Sequence, residues 1–191
     1  MADGQVFNFY NVGFASALLM AQKSSYEEPI QILWNTILQS WFPAVGGQTA
    51  YKLATKASVL ANNDQPDAVV IEVRLVGAGI VRDSRMLMEY QIFMVECKSS
   101  EHDSDSGWAS AAAQLTHYME QNTNVSRKLF GAVAIGTKVQ FYEWEYRHNR
   151  SSLRPVHPAR LDLGDAGDRQ TLEAMLDHVR TQGWNLAQQS T

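Results

Sequence analysis

The feature that most constrains this chain is an almost unbroken apolar run at residues 91–97, with the sequence QIFMVEC, followed directly by Lys98. A strand with one face in water alternates apolar and polar residues, whereas a strand covered on both faces is apolar throughout. We therefore predict a central strand here. Side chains two apart on a strand share a face, so Glu96 and Lys98 should point the same way from its end. Burying two charges there is costly unless partners compensate them, as a divalent metal and a phosphate would.

Composition bounds the class of protein. The 191 residues are 45% hydrophobic, which predicts one globular domain spanning residues 1–191. A formal net charge of −4 argues against a protein held to nucleic acid by bulk charge alone, although a carboxylate-rich metal site would itself add negative charge. The single cysteine, Cys97, rules out an intramolecular disulfide and a cysteine-rich zinc site, and it indicates a reducing compartment.

The apolar segment at residues 14–21 predicts a buried N-terminal helix. It is shorter than the roughly 20 residues that a membrane span needs. The charged residue that precedes it is the acidic Asp3, whereas a signal peptide has a lysine or arginine there. We therefore expect no signal peptide, no transmembrane segment and an intracellular location, cytoplasmic or nuclear.

Hydrophobic periodicity and turn residues predict a mixed sheet with helices packed on its faces, an α/β or α+β sandwich. A polar, mobile loop is expected at residues 99–107 and irregular structure at residues 147–167. The predicted elements are, in order, a helix at 26–42, strands at 51–60, 68–76 and 86–98, a helix at 108–122, a hairpin of strands at 129–135 and 139–146, and a helix at 168–182.

Residues with catalytic potential lie at the ends of these elements. Asp67 follows Pro66 and opens the second predicted strand, while Glu96 and Lys98 close the third. Gln114 and Tyr118 are four apart in the following helix, which places them on one helix face. The sequence separation between Asp67 and Glu96 predicts a long hairpin that brings the two acids together.

This combination resembles the PD-(D/E)XK nuclease superfamily, which has the restriction-endonuclease-like fold. The matching segments are Pro66-Asp67, the triplet Glu96-Cys97-Lys98, and residues 114–118, which read QLTHY and have the QxxxY form of the RecB-type branch. The resemblance covers residues 26–146, with the C-terminal helix at 168–182 outside that core. It implies an α/β fold in which a central mixed β-sheet is flanked by helices.

The resemblance also implies a metal-dependent nuclease. Asp67 and Glu96 would bind Mg²⁺ or Mn²⁺, with the backbone carbonyl of Cys97 as a further ligand, because such metals prefer oxygen ligands. Lys98 would orient or help to deprotonate the attacking water and stabilise negative charge. A further metal ligand is expected from the first helix, at Glu28 or Glu27.

In the same resemblance, Gln114 and Tyr118 would steady Lys98, the water or a substrate phosphate. The implied partner is nucleic acid, with DNA favoured over RNA, and a homodimer would pair two sites. No membrane partner is expected.

Structural explanations remain open for each of these residues. Glu96 and Lys98 could form a plain salt bridge, Asp67 could be a turn residue, and Glu28 could serve only as a helix cap. Two other functions also remain open: a non-catalytic member of the fold that binds nucleic acid or protein, and an interaction protein whose ExK pattern is accidental. The last hypothesis predicts that Asp67 lies far from Glu96.

Overall fold

The computed structural model describes residues 7, 11–46, 48–77, 81 and 83–189 of the chain. Within these ranges the chain forms four α-helices and seven strands, and short 3₁₀ turns lie at Ser84–Met86 and Ser100–His102. In chain order the elements are α1 (Val12–Lys23), α2 (Glu28–Trp41), β1 (Thr49–Ala54), β2 (Ala68–Leu75), β3 (Leu87–Lys98), α3 (Asp105–Glu120), β4 (Lys128–Ile135), β5 (Lys138–Arg147), β6 (Arg150–Pro155), β7 (Leu161–Asp162) and α4 (Ala166–Ala187).

The strands form one open mixed sheet in the order β1-β2-β3-β4-β5-β6, with β7 paired to β5. The pair β3 and β4 is parallel, and the other neighbouring pairs are antiparallel. A parallel pair needs a crossover, which α3 supplies by packing on both strands. Helices α2 and α4 also pack on the sheet, and α1 packs on α2. The predicted α/β architecture with a mixed sheet flanked by helices is confirmed.

Strand β3 is central, as the apolar run predicts. Its residues from Gln91 to Cys97 are all buried between β2 and β4. The register shifts once, because Val70 pairs with Phe93 and Ile71 pairs with Gln91, which leaves Ile92 as an extra residue in a β-bulge. Beyond this bulge Ala68 lies opposite Val95. The register therefore carries Asp67, one residue before β2, to the charged end of β3.

A glycine lies where α3 packs closely on the sheet. A Cβ atom on Gly131 in β4 would lie 2.1 Å from Cε of Met119 and 3.0 Å from Cδ2 of Leu115, both on α3. These distances are shorter than van der Waals contact, so a larger residue here would have to push the ends of these two side chains aside. This close packing matters for function because α3 carries Gln114 and Tyr118.

Three predicted segments are wrong in part. The strand predicted at 51–60 is β1, which begins at Thr49 and ends at Ala54. Residues 147–167 contain β6 and β7 instead of irregular structure alone. The edge strand β6 reads RSSLRP, in which Leu153 is the one large aliphatic residue, so it carries no periodic signal. Residues 99–107 contain a 3₁₀ turn and the start of α3 at Asp105, three residues earlier than predicted. No helix within the described ranges combines the length and apolar character that crossing a membrane requires.

Candidate functional site

Asp67 is held against the end of the central strand. Its carboxylate is 4% exposed, and Oδ2 accepts a hydrogen bond of 2.7 Å from the backbone N–H of Cys97. This bond joins the residue before β2 to the residue that follows Glu96. An accidental ExK pattern predicts that Asp67 lies far from Glu96. In the structure Asp67 instead lies beside the end of β3 that carries Glu96.

Glu96 and Lys98 share a face of β3, as their spacing predicts. Nζ of Lys98 lies 2.6 Å from Oε1 of Glu96, whose side chain is 2% exposed, while the Lys98 side chain is 20% exposed. The carboxylate is thus buried at the end of the strand, and the ammonium group lies between it and solvent. Because Lys98 also belongs to a wider charged cluster, the pair is more than an isolated surface salt bridge.

Of the two acids predicted at the start of the first helix, Glu27 lies in the cluster and Glu28 does not. Glu27 is the residue before α2, and its Oε2 lies 4.0 Å from Nζ of Lys98. Its Oε1 accepts a hydrogen bond of 2.6 Å from Nε2 of Gln31, which also donates to Oδ1 of Asp67 at 2.9 Å. Glu28 is exposed on the first turn of α2. Gln31 lies one turn after Glu27, so the helix presents both side chains to the site.

A second lysine, Lys56, completes the cluster. Its ammonium group forms an ion pair with Oδ1 of Asp67 and lies 3.6 Å from Oε1 of Glu27. The site therefore brings together three carboxylates, of Glu27, Asp67 and Glu96, and two ammonium groups, of Lys56 and Lys98. When all five groups are ionised, one negative charge is in excess.

Burial and the negative charge of Asp67 raise the pKa of Glu96 to about 7, although Lys98 opposes the rise. Partial burial acts to lower the pKa of Lys98, but the hydrogen bond and charge of Glu96 outweigh it and leave that pKa above its ordinary value. Lys98 is accordingly an ammonium group at neutral pH. In this state it can orient an anion or a water molecule and stabilise negative charge, but it cannot accept a proton.

The thiol of Cys97 points away from this chemistry. Side chains alternate along a strand, so Cys97 faces the opposite side from Glu96 and Lys98, and it is 1% exposed. Burial, followed by the charges of Asp67 and Glu96, raises the pKa of the Cys97 thiol well above its usual range. The protonated thiol is a poor metal ligand, which leaves the backbone carbonyl as the atom that Cys97 could offer.

Gln114 and Tyr118 lie together on one face of α3, as their spacing predicts. Nε2 of Gln114 donates a hydrogen bond of 2.7 Å to the hydroxyl of Tyr118. Burial raises the pKa of Tyr118, the Gln114 bond opposes the rise, and the charges of Glu96 and Asp67 add to it. Among the described residues, Gln114 therefore bonds to Tyr118, and the predicted contact of this pair with Lys98 is not formed.

The donor set suits a hard divalent cation. The carboxylates of Asp67 and Glu96 are buried, Glu27 is beside them, and oxygen atoms are the ligands that Mg²⁺ and Mn²⁺ prefer. Over the described ranges no three His, Cys, Asp or Glu side chains form a cluster shaped to hold a metal ion. Lysines occupy the outward oxygens instead: Lys56 contacts Asp67, and Lys98 contacts Glu96. The residue types fit a metal, and binding one would require these ammonium groups to move.

Other basic residues do not extend the site. Residues 147–160 contain four arginines, but Arg154 pairs with Glu143 and Arg160 pairs with Asp105, so part of this positive charge is neutralised. A depression of about 880 Å³ is lined by Arg127 and Tyr146, among others. It lies near the beginning of β4, whereas Lys98 pairs with Ile135 at the end of that strand. The depression is therefore at the opposite end of the strands from the charged cluster.

The sequence interpretation missed Gln31 and Lys56. Gln31 could have been found, because it follows Glu27 by one helical turn and so shares its face. Lys56 had no such signal, since it lies in the connection after β1, and only the tertiary contact with Asp67 reveals it.

Comparison of this chain with protein-family models, curated proteins and solved structures finds no match.

Proposed function

We propose that this chain is a metal-dependent nuclease that hydrolyses phosphodiester bonds of nucleic acid, with Asp67, Glu96 and Lys98 at its centre. The observation that carries the proposal is the convergence of these three side chains at the end of the buried central strand. Two buried carboxylates beside a lysine are costly to keep as purely structural groups. The same groups are well suited to a cation and a phosphate.

Asp67 and Glu96 would hold Mg²⁺ or Mn²⁺, with the Cys97 carbonyl and Glu27 as further ligands. When bound, such a metal would polarise the phosphate and strengthen water as a nucleophile. Lys98 would direct its ammonium group at the attacking water or a phosphate oxygen and stabilise the negative charge that develops there. Gln114 and Tyr118 would donate hydrogen bonds to the same phosphate or water from α3.

The restriction-endonuclease-like fold is part of this proposal. Its support is the order of elements around the motifs: a helix, an antiparallel hairpin that carries Asp67 and Glu96, a crossover helix that carries Gln114 and Tyr118, and a strand parallel to β3. The partner would be nucleic acid, with DNA favoured over RNA, and a homodimer would place two such sites on one duplex.

The test is cleavage of labelled single- and double-stranded DNA and RNA with Mn²⁺, Mg²⁺ or EDTA, using wild type and Lys98→Ala. We expect wild type to cut at least one of these nucleic acids when a metal is present, and Lys98→Ala to remain folded and inactive. Cleavage that persists in Lys98→Ala would overturn the role of Lys98. An intact substrate under every condition, together with no metal binding by calorimetry, would favour a non-catalytic binding module instead.

A further inference from the structure

The site contains one more cation than the PD-(D/E)XK pattern supplies. Lys56 lies outside all the predicted motifs, yet its ammonium group contacts Oδ1 of Asp67 and lies 3.6 Å from Oε1 of Glu27. An inference about its role deepens the proposed function and rests on it. The question is what this lysine does when a metal or a substrate arrives.

The two oxygens of Asp67 have different partners. Oδ2 accepts a hydrogen bond of 2.7 Å from the backbone N–H of Cys97, at the buried end of β3. Oδ1 contacts Lys56 and also accepts from Nε2 of Gln31 at 2.9 Å. Oδ2 faces the backbone of β3, whereas Oδ1 faces the side chains of the cluster, so Oδ1 is the atom that a divalent cation entering the cluster would approach. A cation and the ammonium group of Lys56 would therefore compete for the same oxygen.

The backbone of Lys56 is fixed beside Asp67, while its side chain is free to leave. The N–H of Lys56 donates to the carbonyl of Pro66 at 3.2 Å, next to Asp67 in the sequence. Its φ of 45° lies in the left-handed region that residues with a Cβ seldom adopt. By contrast, the Lys56 side chain is 52% exposed, against 20% for Lys98 and 3% for Asp67. Four rotatable side-chain bonds allow its ammonium group to move into solvent without any backbone change.

We propose that Lys56 is a displaceable counter-ion: it neutralises Asp67 while no metal is bound, a divalent cation displaces it from Oδ1, and the released ammonium group then contacts a substrate phosphate. Lys56 is thus a positioning and substrate-binding residue. The exchange keeps a buried carboxylate paired with a cation at each stage, which avoids the cost of an uncompensated buried charge.

The test compares Lys56→Met with Lys52→Met, measuring Mn²⁺ affinity by calorimetry and cleavage kinetics. Lys52 is a matched control because it has similar exposure, 53%, but pairs with Glu89 away from the site. We expect Lys56→Met to lower the Kd for Mn²⁺ by about tenfold, since the competitor is gone, and Lys52→Met to change it by less than about twofold. In cleavage, Lys56→Met should raise KM more than it lowers kcat.

The outcomes separate this inference from the proposed function. Equal or weaker Mn²⁺ binding by Lys56→Met, in a wild type that binds the metal, would overturn the counter-ion role alone. Absence of Mn²⁺ binding in both proteins would overturn the proposed function and this inference with it. Should Lys56→Met fail to fold, Lys56→Arg keeps the positive charge and must bind Mn²⁺ no more tightly than wild type; tighter binding would contradict the competition.

Discussion

Replacing Glu96 by glutamine should stabilise the metal-free protein, and the gain should increase with pH. Burial and the charge of Asp67 raise the pKa of Glu96 to about 7 in the folded protein, even with Lys98 as its partner at 2.6 Å. The ionised carboxylate is therefore less favourable in the folded state than in the unfolded state. Glutamine has similar shape and can still accept a hydrogen bond from Lys98, but it has no charge to bury.

The magnitude follows from the difference between the two pKa values. A folded value of about 7 against an ordinary value of 4.5 corresponds to roughly 3 kcal/mol, at 1.36 kcal/mol for each pKa unit. At pH values below 4.5 the carboxyl group is protonated in both states, so its contribution to stability is fully present. That contribution is lost as the pH rises from 4.5 through about 7, because the carboxyl group ionises in the unfolded state over this range while burial keeps it protonated in the folded state.

Urea unfolding of metal-free wild type and Glu96→Gln between pH 4.5 and 9 measures this effect. The free energy of unfolding of Glu96→Gln should exceed that of wild type by an amount that grows by roughly 3 kcal/mol over this range. Glu89→Gln is the control, because Glu89 forms an exposed pair with Lys52 outside the site. A difference between wild type and Glu96→Gln that stays constant with pH would refute the reasoning.

Two further predictions test the geometry. Glu27→Gln should weaken Mn²⁺ binding by about tenfold, whereas Glu28→Gln should leave it unchanged, because Glu27 alone of the two contacts Lys98 and Gln31; a larger effect from Glu28→Gln in calorimetry would contradict this assignment. Gly131→Ala should lower the free energy of unfolding by about 1–3 kcal/mol, since the added Cβ would lie 2.1 Å from the Met119 side chain. An unchanged urea midpoint would show that the ends of the Met119 and Leu115 side chains move aside without cost.

The helices and strands of this fold are predicted well where the hydrophobic pattern is strong. The run at 91–97 is apolar throughout and lies in the central strand β3, and the helix predicted at 26–42 is α2. Strand β6 was missed because its partly buried face carries Ser151 and Leu153, and one aliphatic residue is too few for an apolar alternation to be detected. Helix boundaries were also displaced: α3 begins at Asp105, because the side chain of Ser104 caps it by accepting from the N–H of Gly107.

The candidate site shows where sequence reasoning ends. Glu96 and Lys98 share a face because strand geometry requires it, so their spacing predicts the ion pair. The register of β2 against β3, which carries Asp67 to the same place, depends on the bulge at Ile92, and no local pattern signals that bulge. The role of Lys56 is harder still to predict from sequence. Lys56 lies in the connection after β1, where no hydrophobic periodicity indicates which residues it contacts.

The most direct test of the central claim is Mn²⁺-dependent cleavage of a labelled DNA by wild type beside Asp67→Asn, with calorimetric Mn²⁺ titration of both proteins. Asparagine keeps the size of Asp67 and an oxygen that can accept from the Cys97 N–H, so the fold should persist while metal binding weakens. We predict that wild type binds Mn²⁺ and cuts, and that Asp67→Asn does neither at the same metal concentration. Cleavage by Asp67→Asn at the rate of wild type would contradict a metal centre built on this carboxylate.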